Sequence, residues 1–190
     1  MRNVIMLAHV SLDGFMAGPG GDMSFVKFDA ELADHTYPLI KSVDTSVYGR
    51  TTYQMMEGYW PGVAEDATAG DHQRSHARWY KGVAKIVASR TLPRSHDPRL
   101  AIVADDLPGA VAAAKRAPGG DIMIFGSPSV ARTLAAHDLI DEWRLSINPS
   151  IIGAGSSLWG PDGKPTKLTL RSAHTFRSGA IAVHYTRGPA

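Results

Sequence analysis

Cysteine is absent from the 190-residue sequence. Without thiols the chain can form no disulfide bond, no thiolate metal site and no cysteine nucleophile, which is compatible with a reducing compartment. Long apolar runs are missing as well: residues 4–8 form a run of only five before His9, whereas a membrane helix needs roughly 18 apolar residues. We therefore expect a soluble, cytoplasmic protein without a signal peptide or a membrane segment.

Blocks of like charge are also lacking. The formal net charge of +2 is spread along the chain, so nothing in the charge pattern indicates a nucleic-acid partner. Hydrophobic residues make up 44% and charged residues 20% of the sequence, proportions typical of a globular protein that buries a core. The length and the lack of a low-complexity linker predict a single domain over residues 1–190.

Short β-branched segments alternate with helical patterns along the chain. The predicted strands are residues 3–10, 45–49, 85–89, 101–103, 122–125 and 142–147. The predicted helices are 29–42, 51–57, 107–117 and 126–137, whereas 11–24 and 58–82 are predicted loops, the second partly helical around 72–80. A hairpin of residues 167–176 and 180–186 follows. This order predicts a three-layer α/β fold whose mixed, mainly parallel sheet has helices on both faces and an antiparallel hairpin at its end.

Three strand ends carry residues that are suited to binding an anion. In open α/β sheets ligands bind at the carboxyl ends of the strands, where helix N-termini offer free N–H groups. The candidates are Gly49, Arg50, Thr51 and Thr52; Ser89, Arg90 and Thr91; and Gly126, Ser127, Ser129 and Val130. Glycine lets a phosphate approach the backbone, and arginine beside hydroxyl groups suits a 2′-phosphate. Each junction also has a simpler interpretation, a turn glycine or, for Ser127, a helix N-cap.

Several other patterns are weaker. Residues 153–158 begin like a Gly-x-Gly-x-x-Gly fingerprint but lack the third glycine and are followed by a proline. His72 and His76 have the spacing of helical metal ligands, but no glutamate follows His72, and the polar segment predicts a solvated helix without metal. No serine lies in a Gly-x-Ser-x-Gly elbow, which places a hydrolase last among the candidate functions.

The motifs become informative when they are taken in order. They are SLDGF at 11–15, GRTTY at 49–53, SRTL at 89–92, FGS at 125–127, LIDE at 139–142 and NPSIIGAG at 148–155. With these motifs the chain resembles, over nearly its whole length, the reductase domain of the bifunctional deaminase-reductase of riboflavin biosynthesis. It is more distantly similar to dihydrofolate reductase. The resemblance implies a dihydrofolate-reductase-like fold in a standalone form.

The resemblance also implies a reaction, the transfer of a hydride from NADPH to a pterin-like or ribosylaminouracil-type heterocycle. In such folds the loop at 13–21 covers the nicotinamide, residues 49–52 and 126–130 hold the pyrophosphate, and residues 89–91 lie beside the 2′-phosphate. The cofactor supplies the chemistry and the protein supplies orientation and electrostatics. The deaminase half is missing, because a chain without cysteine cannot form its zinc site.

No motif in the sequence identifies a proton donor. Dihydrofolate reductase uses a carboxylate on its second element; Asp29, Glu31 and Asp34 lie in the corresponding region, but none matches a motif residue. We take Asp13 and Asp34 as catalytic candidates. A turn cap for Asp13 and a solvated helix face for Asp34 are the simpler alternatives. A non-catalytic NADP(H)-binding protein on the same fold is therefore the alternative function.

Aromatic residues complete the set of candidates. Tyr59, Trp60, Trp79 and Tyr80 could stack on a flat heterocycle, but core packing explains them equally well. Trp143 and Trp159 lie in apolar late segments, and relatives commonly pair, so we expect a homodimer.

Overall fold

The computed structural model describes residues 1–160, 163 and 165–188, in which strands and helices alternate. The strands and α-helices are β1 (Val4–Ser11), β2 (Phe15–Ala17), α1 (Ala30–Thr36), β3 (Val43–Gly49), α2 (Arg50–Val63), α3 (Asp71–Gly82), β4 (Ala84–Ala88), β5 (Leu100–Val103), α4 (Leu107–Arg116), β6 (Asp121–Phe125), α5 (Pro128–Ala136), β7 (Glu142–Asn148), β8 (Ser156–Ser157), β9 (Leu168–Thr175) and β10 (Ile181–Arg187). Short 3-10 helices cover Pro19–Gly21 and Tyr37–Ile40.

Eight of the strands form one sheet in the order β5-β4-β3-β6-β1-β7-β10-β9. The first six are mutually parallel, and β10 runs antiparallel to both β7 and β9. The predicted α/β fold with a mainly parallel sheet and a closing antiparallel hairpin is therefore confirmed. A second, two-stranded sheet pairs β2, which lies inside the predicted loop 11–24, with β8.

The central strand β1 separates two apolar layers. Val4 and Met6 point to the face covered by α4 and α5, where they join Val111 and Leu134 in one fully buried cluster. Ile5 and Leu7 alternate to the other face and pack in a second cluster, which includes Tyr80 of α3 and side chains of α2. Because β1 is buried on both faces, its first five residues, Val4 to Ala8, are all apolar.

Two predicted helix boundaries were wrong. The helix predicted for residues 29–42 starts after the Asp29 N-cap, whose carboxylate accepts a hydrogen bond from the Leu32 N–H at 3.0 Å, and ends at Thr36. The chain then tightens into the 3-10 turn at Pro38, a residue that lacks the N–H needed to continue an α-helix. Conversely, α2 continues past Glu57 to Val63, because Met56 and Trp60 pack on the core and outweigh local propensity.

Among the described residues, no helix combines the length and the apolar character required to cross a bilayer.

Replacing Leu134 by alanine should destabilise the fold, because its side chain is fully buried between α5 and the sheet. We expect a loss of about 2–5 kcal/mol in the free energy of unfolding, measured by urea denaturation. The matched control is Leu170→Ala on β9, whose side chain is 53% exposed and whose loss should change stability by less than about 0.5 kcal/mol. Equal losses for both variants would contradict this description of the core.

Candidate functional site

A single side chain joins the two glycine-opened junctions. The Gly49 N–H, at the end of β3, donates a hydrogen bond of 2.8 Å to Ser127 Oγ, which follows the neighbouring strand β6. The same hydroxyl donates to the Phe125 carbonyl oxygen at 3.1 Å. Ser127 is buried, so this bridge fixes how the starts of α2 and α5 face each other across the sheet edge.

The predicted role of Ser127 as a helix cap was wrong. Ser127 occupies the N-cap position of α5, but its side chain makes no capping hydrogen bond because it is engaged with Gly49. Gly49 at the start of α2 has no side chain to cap with. Both helices therefore begin with backbone N–H groups that no side chain satisfies, which is the arrangement that binds anions.

The turn between β6 and α5 is held in a left-handed conformation. Gly126 has a φ of 54°, and Ser127 follows with a φ of 57°, a region that costs a side-chain-bearing residue about 1–2 kcal/mol. Gly126 lies against the Thr52 side chain, since a Cβ added to the glycine would sit 3.6 Å from Thr52 Cγ2. In the same way, Gly49 faces the Val130 side chain. The two predicted junctions thus form one continuous surface.

The third predicted element extends this surface along the sheet edge. Arg50, the first residue of α2, donates from Nη1 to Thr91 Oγ1 at 2.8 Å. Ser89, at the end of β4, is buried, and its Oγ accepts the N–H groups of Thr91 and Leu92. Arg90 is exposed and pairs with Asp105 at 3.2 Å. Two guanidinium groups therefore lie beside the Ser89 turn, while Thr51 and Ser129 remain exposed near the helix starts.

The Asp13 carboxylate accepts hydrogen bonds at both of its oxygens. Its Oδ1 accepts hydrogen bonds from Ser11 Oγ at 2.6 Å and from the Ile152 N–H at 3.2 Å, and its Oδ2 accepts the Gly153 N–H at 2.8 Å. The Ser11 hydrogen bond is the largest cause that lowers the pKa of Asp13 below its usual value. The carboxylate therefore ties the loop after β1 to the loop after β7, and it is poorly suited to donating a proton.

Asp34 lies on a different surface. It is exposed on α1 and contacts His72 Nε2 of α3 at 2.7 Å. It also lines a shallow depression with Glu31, His35 and His174. None of its hydrogen bonds or ion pairs within the described part of the chain reaches the two junctions. The catalytic roles of Asp13 and Asp34 therefore stay predictions.

His9 was not among the site residues predicted from the sequence. It lies on β1 two residues after Leu7, whose backbone pairs with Phe125 and whose carbonyl oxygen accepts the Gly126 N–H at 3.2 Å. The imidazole therefore lies on the same sheet face as Leu7, next to the Gly126 turn. Its Nδ1 is buried without a hydrogen-bond partner, and burial lowers its pKa to about 4, so the ring is neutral at pH 7.

Phe28 covers the imidazole of His9. The two rings meet edge to face with centroids 5.2 Å apart, yet Phe28 is 65% exposed. An exposed aromatic ring beside a neutral, unpartnered imidazole is a suitable contact for a flat polar ring. Because a lone histidine inside a strand carries no sequence motif, only its position in the sheet identifies it.

Most of the aromatic candidates are core residues. Trp79 Nε1 donates to the Val43 carbonyl oxygen at 2.9 Å, and the Tyr80 hydroxyl donates to Glu57 at 2.8 Å. Trp60 lies against His76, with ring centroids 4.1 Å apart. His76 is buried, so the expectation of a fully solvated helix at 72–80 was wrong for this residue. Among the described residues, no group of three or more potential ligands is placed to hold a metal ion.

The sequence pattern of the RibD C-terminal domain family matches residues 2–182. The chain belongs to the RibD C-terminal domain family. RibD C-terminal domains are reductases that use a nicotinamide cofactor, which supports an oxidoreductase role for this member.

Two similar proteins come from Bacillus subtilis strain 168 and are uncharacterized. YyaP is 29% identical over 184 residues, covering 97% of this chain and 94% of YyaP, and YwjB is 24% identical over 187 residues, covering 98% of each.

Three solved structures show the same fold. A riboflavin biosynthesis protein from Shewanella sp. PV-4 superimposes with a TM-score of 0.73 at 17% identity, over 99% of this chain and 100% of that one. A pyrimidine reductase-like protein from Corynebacterium diphtheriae gives 0.71 at 19% identity, over 100% and 93%. The deaminase/5-amino-6-(5-phosphoribosylamino)uracil reductase of Thermotoga maritima gives 0.67 at 14% identity, and this chain covers 57% of it. The dihydrofolate-reductase-like fold expected of a RibD C-terminal domain is thereby confirmed.

Removing the Ser127 hydroxyl should loosen the edge of the sheet. Ser127→Ala leaves the Gly49 N–H without its acceptor, and we expect a loss of about 1–3 kcal/mol in the free energy of unfolding. Ser127→Gly also removes the bond but relieves the left-handed φ, so its loss should be smaller. Ser129→Ala at an exposed position is the control. If Ser127→Ala were as stable as wild type in urea denaturation, the hydrogen bond between Gly49 and Ser127 would not stabilise the fold as described.

The buried imidazoles predict a pH dependence of stability. Burial lowers the pKa of both His9 and His76 to about 4 from 6.5, so between these values the unfolded chain binds more protons than the folded protein. Stability should therefore be fully present above pH 6.5 and fall as the pH drops toward 4. Each group contributes up to about 1.4 kcal/mol per pH unit within this window.

The variant His76→Phe should reduce that slope by the share of one histidine, while its stability curve should run parallel to wild type between pH 7 and 8. Urea denaturation from about pH 5 to 8 measures both curves. An unchanged slope would show that His76 is not held as a buried neutral imidazole.

Proposed function

We propose that this protein is an NADPH-dependent reductase of a flat nitrogen heterocycle, of the pterin or aminopyrimidine type. The observation that carries the proposal is the Ser127–Gly49 bridge, which sets two uncapped helix N-termini side by side at the carboxyl edge of a parallel sheet. This is the location at which open α/β sheets bind nucleotide cofactors.

The donor set at the bridge fits a pyrophosphate. The first N–H groups of α2 have no side-chain cap, and neither have those that follow Pro128 in α5. The dipoles of both helices favour negative charge at this point. The residues that would hold the pyrophosphate are those predicted from the sequence, Gly49 to Thr52 on one side and Gly126, Ser127, Ser129 and Val130 on the other. Thr51 and Ser129 are exposed and add hydroxyl donors.

The end of β4 supports NADPH rather than NADH. Arg50 and Arg90 place two guanidinium groups beside Ser89 and Thr91, and arginine with hydroxyl groups is suited to a phosphomonoester. Arg90 is bound only to an exposed aspartate, so it can exchange this weak surface pair for a cofactor phosphate.

The strand order then sets the position of the reacting ring. With the phosphomonoester at β4 and the pyrophosphate between β3 and β6, a cofactor extended along the edge reaches β1 and β7 next. A bound nicotinamide would supply the hydride there. Of the described side chains at this point, His9 offers a neutral ring nitrogen and Phe28 an apolar face, both suited to orienting a flat substrate and excluding water.

Asp13 supports this reaction by position. Through Ser11, Ile152 and Gly153 it anchors the loop that follows β1 to the loop that follows β7. In the proposed complex the loop that follows β1 covers the nicotinamide, and such a loop needs an anchor to keep its closed conformation.

A non-catalytic NADP(H)-binding protein is the second candidate. The observation that favours it is the state of the two predicted proton donors, since the pKa of Asp13 is lowered by its hydrogen bonds and Asp34 is paired with His72.

The homodimer also remains a prediction. Trp143 is buried against Trp159 and supplies little free surface, whereas Trp159 is 51% exposed.

Titration of the protein with NADPH and NADH, followed by quenching of its tryptophan fluorescence, tests the cofactor assignment. We expect NADPH to bind more tightly than NADH, and Arg90→Ala to weaken NADPH by about tenfold or more while leaving NADH nearly unchanged. The control is Arg116→Ala, an exposed arginine at the end of α4, at the opposite edge of the sheet.

Equal losses of both cofactors in Arg90→Ala would refute its assignment to the 2′-phosphate, and absence of binding by wild type would refute the reductase. Oxidation of NADPH in the presence of pterins or aminouracils then separates an enzyme from a binding protein.

A further inference from the structure

The loop that follows β1 is hydrogen-bonded to the segment that follows β7, residues 149–160, which we call the strap. Within these two segments β2 pairs with β8 in an antiparallel sheet. The Leu158 N–H donates to the Gly14 carbonyl oxygen at 2.9 Å, and the Asp13 carboxylate accepts two further N–H groups of the strap. The loop and the strap therefore form one unit at the carboxyl end of β1 and β7.

Trp159 of the strap packs directly on the loop. A Cβ added to Gly14 would lie 2.9 Å from Trp159 Cδ1, so a larger residue at this position would displace the indole. The indole also lies beside Trp143 of β7, with ring centroids 5.5 Å apart, and the neighbouring Leu158 is buried in the core. Trp159 is nevertheless 51% exposed. Its fluorescence can therefore report on the contact between the strap and the loop.

Arg132 ties the strap to α5. Its Nη1 donates to the Ser157 carbonyl oxygen at 2.5 Å, and its aliphatic part lies against Gly160, where an added Cβ would be 2.9 Å from Arg132 Cδ. Among the described residues this is the one hydrogen bond between α5 and the strap. Ser157 is at the same time paired with Phe15 of β2. Ser157 therefore connects the loop after β1 to α5.

The helix that carries Arg132 also carries half of the proposed pyrophosphate site. Arg132 lies five residues after Ser127, about 7 Å along the helix axis. Val130, Ala131 and Leu134 of the same helix are buried, so close packing fixes α5 on the sheet. The strap is thus fastened to the element whose first turn faces the phosphates in the proposed complex.

We infer that Arg132 is a positioning residue, which holds the strap and the loop after β1 at a fixed place relative to the pyrophosphate, so that the loop fits over the nicotinamide. The inference rests on the proposed function, because that function places the nicotinamide at β1 and β7. A loop that is already held in its bound conformation costs less free energy to order when the ligand binds. Arg132 acts through Ser157, and it strengthens the binding of the ring rather than that of the phosphates.

Two ligands that differ in the nicotinamide test this inference. NADPH and 2′-phospho-ADP-ribose share the pyrophosphate and the 2′-phosphate, and only NADPH carries the ring. Calorimetric titration of the full chain gives the ratio of their affinities, which measures the contribution of the ring. Because Arg132→Ala removes one hydrogen bond from a charged group, it should weaken NADPH roughly three- to tenfold and 2′-phospho-ADP-ribose less than about twofold.

Three further variants serve as comparisons. Arg132→Lys keeps a charged donor on a long side chain, and it should restore most of the wild-type ratio. Arg90→Ala removes a proposed phosphate contact that both ligands share, so it should weaken both and leave their ratio unchanged. Arg171→Ala replaces an exposed arginine of β9 that donates to Thr186, and it should change neither affinity.

A second readout needs no ligand. When the tie to α5 is lost in Arg132→Ala, Trp159 should separate from Gly14, which shifts its emission to longer wavelength and increases its quenching by acrylamide. The signal of Trp159 is isolated by subtracting the spectrum of the same protein with Trp159→Phe, since the chain has three other tryptophans. Arg132→Lys should have the wild-type spectrum, whereas a general loosening of the fold would also change the emission of the other three.

The outcomes separate this inference from the proposed function. Equal losses of both ligands in Arg132→Ala, an unchanged affinity for NADPH, or an unchanged Trp159 spectrum would overturn the inference and leave the cofactor site in place. If wild type binds both ligands equally, the ring has no place beneath the loop, and the inference fails although the phosphate sites remain. If wild type binds neither ligand, the reductase proposal fails, and the inference fails with it.

Discussion

The hydrogen bond from the Gly49 N–H to Ser127 Oγ joins two helices that start on opposite faces of the sheet. The bond requires Ser127 to adopt a left-handed φ, which is unfavourable for any residue with a Cβ, and the surrounding packing of Val130 and Thr52 against the two glycines holds it there. Because the hydroxyl binds Gly49 instead of capping its own helix, no side chain caps the start of α5. The start of α2 is uncapped because its N-cap residue is Gly49. The proposed binding of a pyrophosphate at this edge depends on the hydrogen bond between Ser127 and Gly49.

The sheet itself divides the molecule into regions of different chemistry. On β3, β6 and β1 both faces are apolar and supply the core that makes the parallel strands rigid. On β7, β10 and β9 one face becomes polar, beginning at Arg144, and it is covered by the short helix α1 with a cavity beneath it. His9 and Phe28 lie between these regions. A rigid support beside a polar, partly open face is the arrangement that holds a ligand against fixed groups.

Much of the fold and part of the candidate site could be predicted from the sequence. The positions of Gly49 and Gly126 after apolar strands identified two junctions that the structure brings together, and the Ser89 turn proved to contact Arg50 through Thr91. The predicted ends of α1 and α2 were wrong. The effect of Pro38 in ending α1 was underestimated, and the extension of α2 depends on the contact of Trp60 with His76, a residue of the next helix. Asp13 was chosen for its glycine-rich loop and Asp34 from the resemblance to dihydrofolate reductase, and the structure shows Asp13 as an anchor of two loops.

The sequence by itself determined the order of strands and helices, the parallel sheet and the glycines that follow its strands, because hydrophobic periodicity and glycine positions are local properties. Only the tertiary structure decided which polar groups meet. Gly49 and Ser127 are 78 positions apart, and His9 meets Ser146 across two parallel strands. Such contacts depend on strand order, register and the covering of one face by α1. Whether a hydroxyl caps its own helix, or an imidazole loses its solvent, is settled only when those elements pack.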